Sequence, residues 1–581
     1  MAPTDVGALL PLFIAVPLIA AGLAAVAPWA VVRRTLGIVV PAAGVLGGAW
    51  LVAAVSGDTS TVAHAVGGYP GGVSIPLAAD TFTGLMIVTT GLIALTANWF
   101  ADAVGETAAR FYPALTLMLI GGVWGAVLTA DLFNLFVFVE VMLMPSYGLL
   151  AMTGTWARLA SARMFVIVNL VTSAVLVIGV GFTYAVVGTT NLAALAGAAG
   201  PRGVSFADGV HGTQWQLVVA LGLVLLALGV KAGMAPVHTW LPRAYPSTSP
   251  AVMSLFSGLH TKVGVYAIIR VFMVVFEGDP AWSWAIIVIT VAGMLIGAFA
   301  GMAEASMRGV LAYQMVNGIP FILVALAFVA ENPRLLLSAA LFYMLHHMVT
   351  AGSLIMTAGA VEETYGTGRI RTLSGLLRRD PFPAAVFAAG ALSIIGFPPF
   401  SGVWGKLALV LGVAGDGTWK AWLVVGAILV AGLGSLFSML YVWREVFWGK
   451  PMSPKQMNPS LAVSPRFVLP GATLLAVSVA MFVGAGGVFA LTNRAADDLT
   501  DTAPYVHAVL GGERGVGSVL DTDSFGVGAA RPTDPSPDTP GTPVAPAPRG
   551  TADAPATSGA PAASHAPAAP AAPDTEAGDH R

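Results

Sequence analysis

The chain has 581 residues, of which 56% are hydrophobic and only 10% charged, with a net charge of −2. A mean hydropathy of +0.82 excludes a set of soluble domains and places the chain among polytopic membrane proteins. There is no cysteine, which excludes disulfides, thiolate metal sites and cysteine nucleophiles.

The first apolar segment lacks a basic n-region, so it reads as a retained span and not a signal peptide. Hydropathy then gives an all-α protein of fourteen spans: 7–27, 36–55, 76–100, 112–130, 131–151, 162–187, 214–235, 248–272, 281–303, 306–331, 334–359, 383–413, 419–446 and 466–491. Only Asp131 to Asn134 separates the fourth span from the fifth.

Charge sets the orientation. One set of alternate loops holds fifteen basic residues: Arg33, Arg34, Arg110, Arg158, Arg163, Arg243, Arg308, Arg369, Arg371, Arg378, Arg379, Arg444, Lys450, Lys455 and Arg466. The opposite set, with its helix ends, holds four: Arg202, Arg270, Arg334 and Lys420. The positive-inside rule makes the first set cytoplasmic. An even span count then puts both termini outside, and losing one span would scramble the bias.

The seventh span is broken at Gly233–Pro236, and the twelfth at GFPPFSG with Pro398 and Pro399. The two breaks lie five spans apart. Five is odd, so two five-helix units, 112–272 and 281–446, would have inverted topology. Paired broken helices in corresponding places point to a transporter core. Residues 1–111 supply three further spans and 466–491 the last. Beyond 492 the chain changes character, and from Arg531 it is mainly Ala, Pro, Thr, Ser and Asp. Such a stretch cannot bury enough surface to offset its chain entropy, so 492–581 reads as a disordered tail.

Several ionisable residues lie deep in the spans. Counting at about 1.5 Å per residue, Glu140, Lys262, His346 and His347 fall well inside theirs, while Lys231 precedes one break and Lys406 follows the other. Each charge at the bilayer centre costs roughly 2.5–3.5 kcal/mol. A purely structural reading has Glu140 neutralise one lysine while the others snorkel, but snorkelling fails this far from the helix ends. The functional reading is a lateral proton relay of lysines bridged by histidines and water. His238 and His260, beside the first break, are equally suited to bonding a freed carbonyl or to an accessory role. Asp131 reads as a solvated helix end at the outer mouth, and Glu304 with Arg308 as a structural i,i+4 pair. No P-loop, dinucleotide fingerprint, zinc signature or hydrolase elbow is present, no acidic cluster forms a sodium cage, and no prosthetic group or nucleic-acid partner is expected.

The stretches DLFNLFVFVEVMLMPSYGLL (131–150), KAGMAPVHTWLP (231–242), LHTKVGVYAIIR (259–270), RGVLAY (308–313) and GFPPFSGVWGK (396–406) resemble the antiporter-like proton-translocating family. That family includes the antiporter-like subunits of respiratory complex I and the A and D subunits of Mrp-type cation/proton antiporters, and the pattern here looks most like the D type. The resemblance implies that Glu140 is the fifth-helix glutamate and Lys231 its seventh-helix partner. It likewise implies that Lys262 is the central eighth-helix lysine, His346 and His347 the eleventh-helix histidines, and Lys406 the terminal twelfth-helix site. WLPRAY departs from the WLPDAH common in complex I, with Arg243 at the Asp position. The expected function is proton translocation in a multisubunit Na⁺/H⁺ antiporter of the cell membrane, without enzymatic chemistry, alongside A-like and small hydrophobic subunits. The alternative is a proton-pumping subunit of a complex I-type oxidoreductase, and a scaffold that has lost transport is a third reading.

Overall fold

The computed structural model describes residues 3–56, 60–69, 71–152, 156–201, 212–450, 452 and 460–511. The chain divides into units 1–529 and 530–581, and every described residue belongs to the first. The Arg202 and Lys455 charges used for orientation, and the tail from 512 onward, lie outside the described residues.

The architecture is a helical bundle. Its main helices are α1 (Leu12–Val26), α2 (Ala30–Ala54), α3 (Thr81–Val104), α4 (Tyr112–Leu128), α5 (Leu132–Ala151), α6 (Trp156–Val187) and α7 (Gln214–Ala232). There follow α8 (Pro250–Gly258), α9 (His260–Val274), α10 (Ser283–Ala300), α11 (Met307–Leu323), α12 (Pro333–Tyr365), α13 (Pro381–Ile395), α14 (Gly402–Ala414) and α15 (Trp419–Val442). The last are α16 (Pro465–Val483), α17 (Ala485–Thr500) and α18 (Ala503–Leu510). Among the described residues twelve helices are long and apolar enough to cross a membrane, with α8 and α9 taken as one near-continuous rod. The expected spans at 112–130 and 383–413 fall instead on shorter apolar helices, α4 and the pair α13 and α14.

Polar side chains start many of these helices by accepting from the orphan amides of the first turn. Asp80 accepts from Thr83 N, Asp131 from Asn134 N, Ser249 from Val252 N and Ser306 from Gly309 N. Thr213 and Gln216 form a reciprocal capping box on α7. The α7 and α13 segments both end on a glycine in the left-handed region, Gly233 at φ 80° and Gly396 at φ 103°. Only glycine adopts that conformation without a Cβ penalty, so the two breaks are fixed by residue type.

α8, α9, α11 and α12 are buried almost throughout and form the centre, whereas α1 and α6 keep large apolar side chains such as Ile19 and Val171 exposed. In a lipid solvent such exposure carries no penalty.

Three sequence expectations change here. Residues 76–80, assigned to the third span, form a strand, β2 (Pro76–Asp80), antiparallel to β1 (Thr61–Ala65) with Thr61 opposite Asp80. The strand is wholly buried, so its apolar run is indistinguishable from a helix start by hydropathy. The boundary at 492 is too early, because α17 continues to Thr500 and α18 follows. Thr492, Ala495, Ala496 and Leu499 are buried at helical spacing, and an amphipathic helix of this kind has no continuous apolar run. Arg308 does not pair with Glu304, which precedes the cap of α11. It makes a two-pronged bond to Glu362 at 2.7 and 2.6 Å and donates to Thr248 O at 2.6 Å.

Candidate functional site

The buried ionisable residues form a row across the bundle. At one end Glu140, half-buried on α5, accepts a hydrogen bond from the Ser173 hydroxyl of α6. Ser173 Oγ in turn accepts from Lys231 Nζ at 2.9 Å. The opposite charges are therefore joined through a hydroxyl. Lys231 sits in the last turn of α7, where the helix dipole favours a cation.

The break after α7 brings His260, at the start of α9, into the field of Lys231. His260 Nε2 is 2.7 Å from the Ser146 hydroxyl, which bonds back to Met142 O. Two residues on, Lys262 is fully buried, and its Nζ reaches Thr261 Oγ1 at 3.2 Å and Ser257 O at 3.5 Å. Among the described residues no carboxylate forms an ion pair with it. It is the centre of the row and its least compensated cation.

The second half follows. His347 on α12 lies within the electrostatic reach of Lys262, and its Nε2 is 3.3 Å from Gln314 O on α11. His347 Nδ1, His346 Nε2 and both amide ends of Gln314 are buried without a protein partner. Polar atoms with unused bonding capacity are where ordered water binds in an interior. His346 Nδ1 enters a closed ring of hydroxyls. It is 2.7 Å from Ser401, which is 2.8 Å from Ser478; Ser478 is 2.9 Å from Ser393, Ser393 is 3.2 Å from Thr350, and Thr350 is 3.3 Å from His346 Nδ1. At the far end Lys406, half-buried on α14, donates to Ile394 O at 3.1 Å and Ile395 O at 2.8 Å and lies 4.9 Å from the Phe321 ring centre. These carbonyls are the ones freed where α13 ends, so the second break creates the seat for Lys406.

All six expected row residues thus lie along one polar file that is buried in the middle and half-buried at both ends. Of the accessory candidates, only His260 touches it. His238 is buried in the break beside Pro236, with Nδ1 unpartnered. Asp131 is not a solvated end. It is a buried cap that accepts from Asn134 N at 2.8 Å and Thr190 Oγ1 at 2.6 Å, about 13 Å down α5 from Glu140 by helical rise. Among the described residues no group of three or more His, Cys, Asp or Glu is placed to hold a metal ion.

The sequence reading missed Ser173, Ser146, Ser393, Ser401, Ser478, Thr350 and Gln314. Hydroxyls in apolar helices commonly bond their own i−4 carbonyl, as Thr172 does to Val168 O, so spacing does not separate the bridging ones. A second feature also escaped it. Arg270, counted as an outer helix end, is buried and bonds Asp80 at 2.5 and 2.9 Å, with Tyr266 and Thr83 alongside and the Tyr505 ring of α18 packed over it. Burial opposes the Asp80 charge, but the Arg270 guanidinium outweighs it and holds the carboxyl below the ordinary carboxylate range.

Comparison with known proteins places the chain in a family. The family described as NADH:quinone oxidoreductase/Mrp antiporter, transmembrane, matches residues 129–432. The chain is 33% identical over 449 residues to the D subunit of the Na(+)/H(+) antiporter of Bacillus subtilis (strain 168), covering 77% of this chain and 87% of that protein. It is 32% identical over 389 residues to the N subunit of the NADH-quinone oxidoreductase of Desulforudis audaxviator (strain MP104C), covering 66% and 74%. A chain in the structure of the Mrp complex from Dietzia sp. DQ12-45-1b superposes with a TM-score of 0.80 at 38% identity, covering 87% of this chain and 99% of that one. With more than half of its length inside the family match, and with the buried row contained in that match, the chain belongs to the NADH:quinone oxidoreductase/Mrp antiporter transmembrane family.

Proposed function

We propose that this chain is the proton-carrying subunit of an Mrp-type Na⁺/H⁺ antiporter of the cell membrane. The row from Glu140 to Lys406 carries the reading, above all Lys262, fully buried with no carboxylate paired to it among the described residues. A buried ammonium in that position is tolerated only where its proton is exchanged or its charge is met by neighbours and water.

The row works as a set of switches. A proton on Lys231 is held by Glu140 through Ser173. When Lys231 gives it up, the path to Lys262 runs past His260 and the Ser257 carbonyl, and onward through His347, His346 and the hydroxyl ring to Lys406. A hydroxyl can donate and accept at once, so the ring passes a proton by turning its members over. The two broken helices, five spans apart, supply a cation seat in each of two inverted five-helix units, 112–272 and 281–446. Both termini lie outside the cytoplasm in this reading. The half-buried ends of the row and the exposed Val137 and Met144 on the Glu140 helix suit contact with A-like and small hydrophobic membrane subunits.

The test is co-expression with those subunits in a host lacking its own antiporters, followed by Na⁺-dependent collapse of a proton gradient in inverted vesicles. Wild type collapses the gradient and Lys262→Met does not, with equal assembly of both. Equal rates would refute the relay. Co-purification with flavin and iron–sulfur subunits instead would assign the chain to a complex I-type oxidoreductase, a reading that its 32% identity to an NADH-quinone oxidoreductase subunit supports.

A further inference from the structure

A second cluster of ionisable groups sits away from the row, on the Arg-rich face. Glu106 lies in the turn Glu106–Ala108 after α3, half-buried, with the Ser249 hydroxyl that caps α8 beside its carboxylate. Facing it are Arg158 from α6, Arg308 from α11, and Glu362 and Glu363 from α12; Arg308 is tied to Glu362. Tyr112, at the start of α4, is fully buried with its hydroxyl unpartnered and within the field of Glu106. Exposure falls steadily inward, from exposed Glu363 through half-buried Glu106 to buried Ser249.

The gradient continues along α8. Pro250, Ser254, Ser257 and Thr261 follow at intervals of four, three and four residues, which places them on one helical face. Ser254 and Ser257 are 0% and 1% exposed, yet neither hydroxyl has a protein partner. Gly352 of α12 leaves Ser254 facing bare backbone, since a Cβ there would stand 3.3 Å from its Oγ. The stripe ends on Lys262, whose Nζ reaches Thr261 Oγ1 and Ser257 O. From Ser249 to Ser257 the rise is about 12 Å. Two buried hydroxyls with unused bonding capacity, Ser254 and Ser257, between a surface carboxylate and the central lysine are the chemistry of a proton access route.

We propose that Glu106 is a proton-exchange residue at the Arg-rich mouth and that Ser254 and Ser257 of α8, with Thr261 at the start of α9, link it to Lys262. The proposal rests on the transport reading above and adds a residue, Glu106, outside the matched family segment. The proton moves between bulk water and the Glu106 carboxylate, then between that carboxyl and the Lys262 amine through hydroxyls and water. Nothing else changes oxidation state or bonding. Burial pushes the Glu106 carboxyl up to about 7, against the opposing influence of the Ser249 hydroxyl, which matches a group that exchanges protons at neutral pH.

Two measurements on the assembled complex test it. In inverted vesicles, E106Q keeps the side chain's shape and polarity but cannot titrate. Its initial rate at pH 7 falls by about tenfold, less than the roughly hundredfold of a lost enclosed acid–base group, because water partly replaces a group at a mouth. Its rate also loses its pH dependence around neutrality, E106D retains both, and E106Q with S254A and S257A is no slower than E106Q alone. A wild-type rate and pH profile in E106Q, or an equal loss in E106D, overturns the proposal. Infrared difference spectra of the purified complex separate this from failure of the transport reading. A carboxyl band titrating around neutral pH, absent in E106Q, supports the site even if no Na⁺-dependent proton movement is found. Absence of such a band in wild type overturns it.

Discussion

Ser173→Ala is the sharpest perturbation of the row. Ser173 is 6% exposed and stands between Glu140 and Lys231, donating to the first and accepting from the second at 2.9 Å. Two ordinary hydrogen bonds in series hold the charges no more than about 5.6 Å apart, which at an effective dielectric of about 20 couples them by roughly 3 kcal/mol. Deleting the hydroxyl removes two charge-assisted bonds worth about 1.5–3 kcal/mol each before any replacement by water. One such loss corresponds to a rate reduction of roughly 10- to 100-fold. The assay is the initial rate of Na⁺-dependent proton movement in inverted vesicles, normalised to assembled complex. Glu140→Gln should cost a similar factor. If the hydroxyl acts by joining these two charges, the double variant is about as slow as the worse single variant. A double variant whose loss is the product of the two single losses would refute the bridge, as would a Ser173→Ala rate equal to wild type.

Asp80→Asn leaves the Arg270 guanidinium buried without its counter-ion, at a cost of about 3–5 kcal/mol, and should lower the detergent melting temperature of the assembled complex. Because the folded Asp80 carboxyl lies below its ordinary range, its stabilisation is present above about pH 4 and is lost only as pH falls through the lower folded value; stability of wild type between pH 5 and 8 is blind to it. Asp498 behaves oppositely. Burial, helped by the Asp80 charge, pushes its carboxyl up to about 6, so its contribution is complete below about pH 4 and disappears as pH rises through 6. Hydrogen exchange of α17 should therefore slow from pH 7 to 5 after correction for intrinsic rates, and Asp498→Asn should abolish that change. Gly318→Ala would place a Cβ 1.9 Å from His347 Nε2. It should displace the ring and reduce transport by at least the roughly tenfold expected for a misplaced relay group, whereas Ala at the open Gly222 leaves the rate unchanged.

Much of the site was legible because lipid makes polarity conspicuous. Lys231, Lys262 and Lys406 stand out where every charge carries a cost, and Gly233 and Gly396 announce the breaks because no other residue takes their backbone angle cheaply. The bridging groups were not legible. A serine in an apolar helix satisfies itself on its own backbone, so nothing in the order of residues separates Ser173, which spans two helices, from Thr172, which does not. Pairing by charge and spacing misled at Arg308, whose partner Glu362 is 54 residues away, and Arg270, counted as a helix end, finds Asp80 190 residues away.

The amino-acid sequence by itself determined a membrane solvent, the helical class, the positions of the breaks and the types of ionisable group buried in the spans. These follow from local chemistry: hydropathy summed over a window, the backbone freedom of glycine and proline, and the cost of a buried charge. Only the tertiary structure decided that Lys262 has no carboxylate partner among the described residues, that five groups from four segments close a ring at His346, and that α17 and α18 pack against Asp80 and Arg270. Those arrangements depend on which helix faces meet, and meeting is a property of packing between segments far apart in the chain.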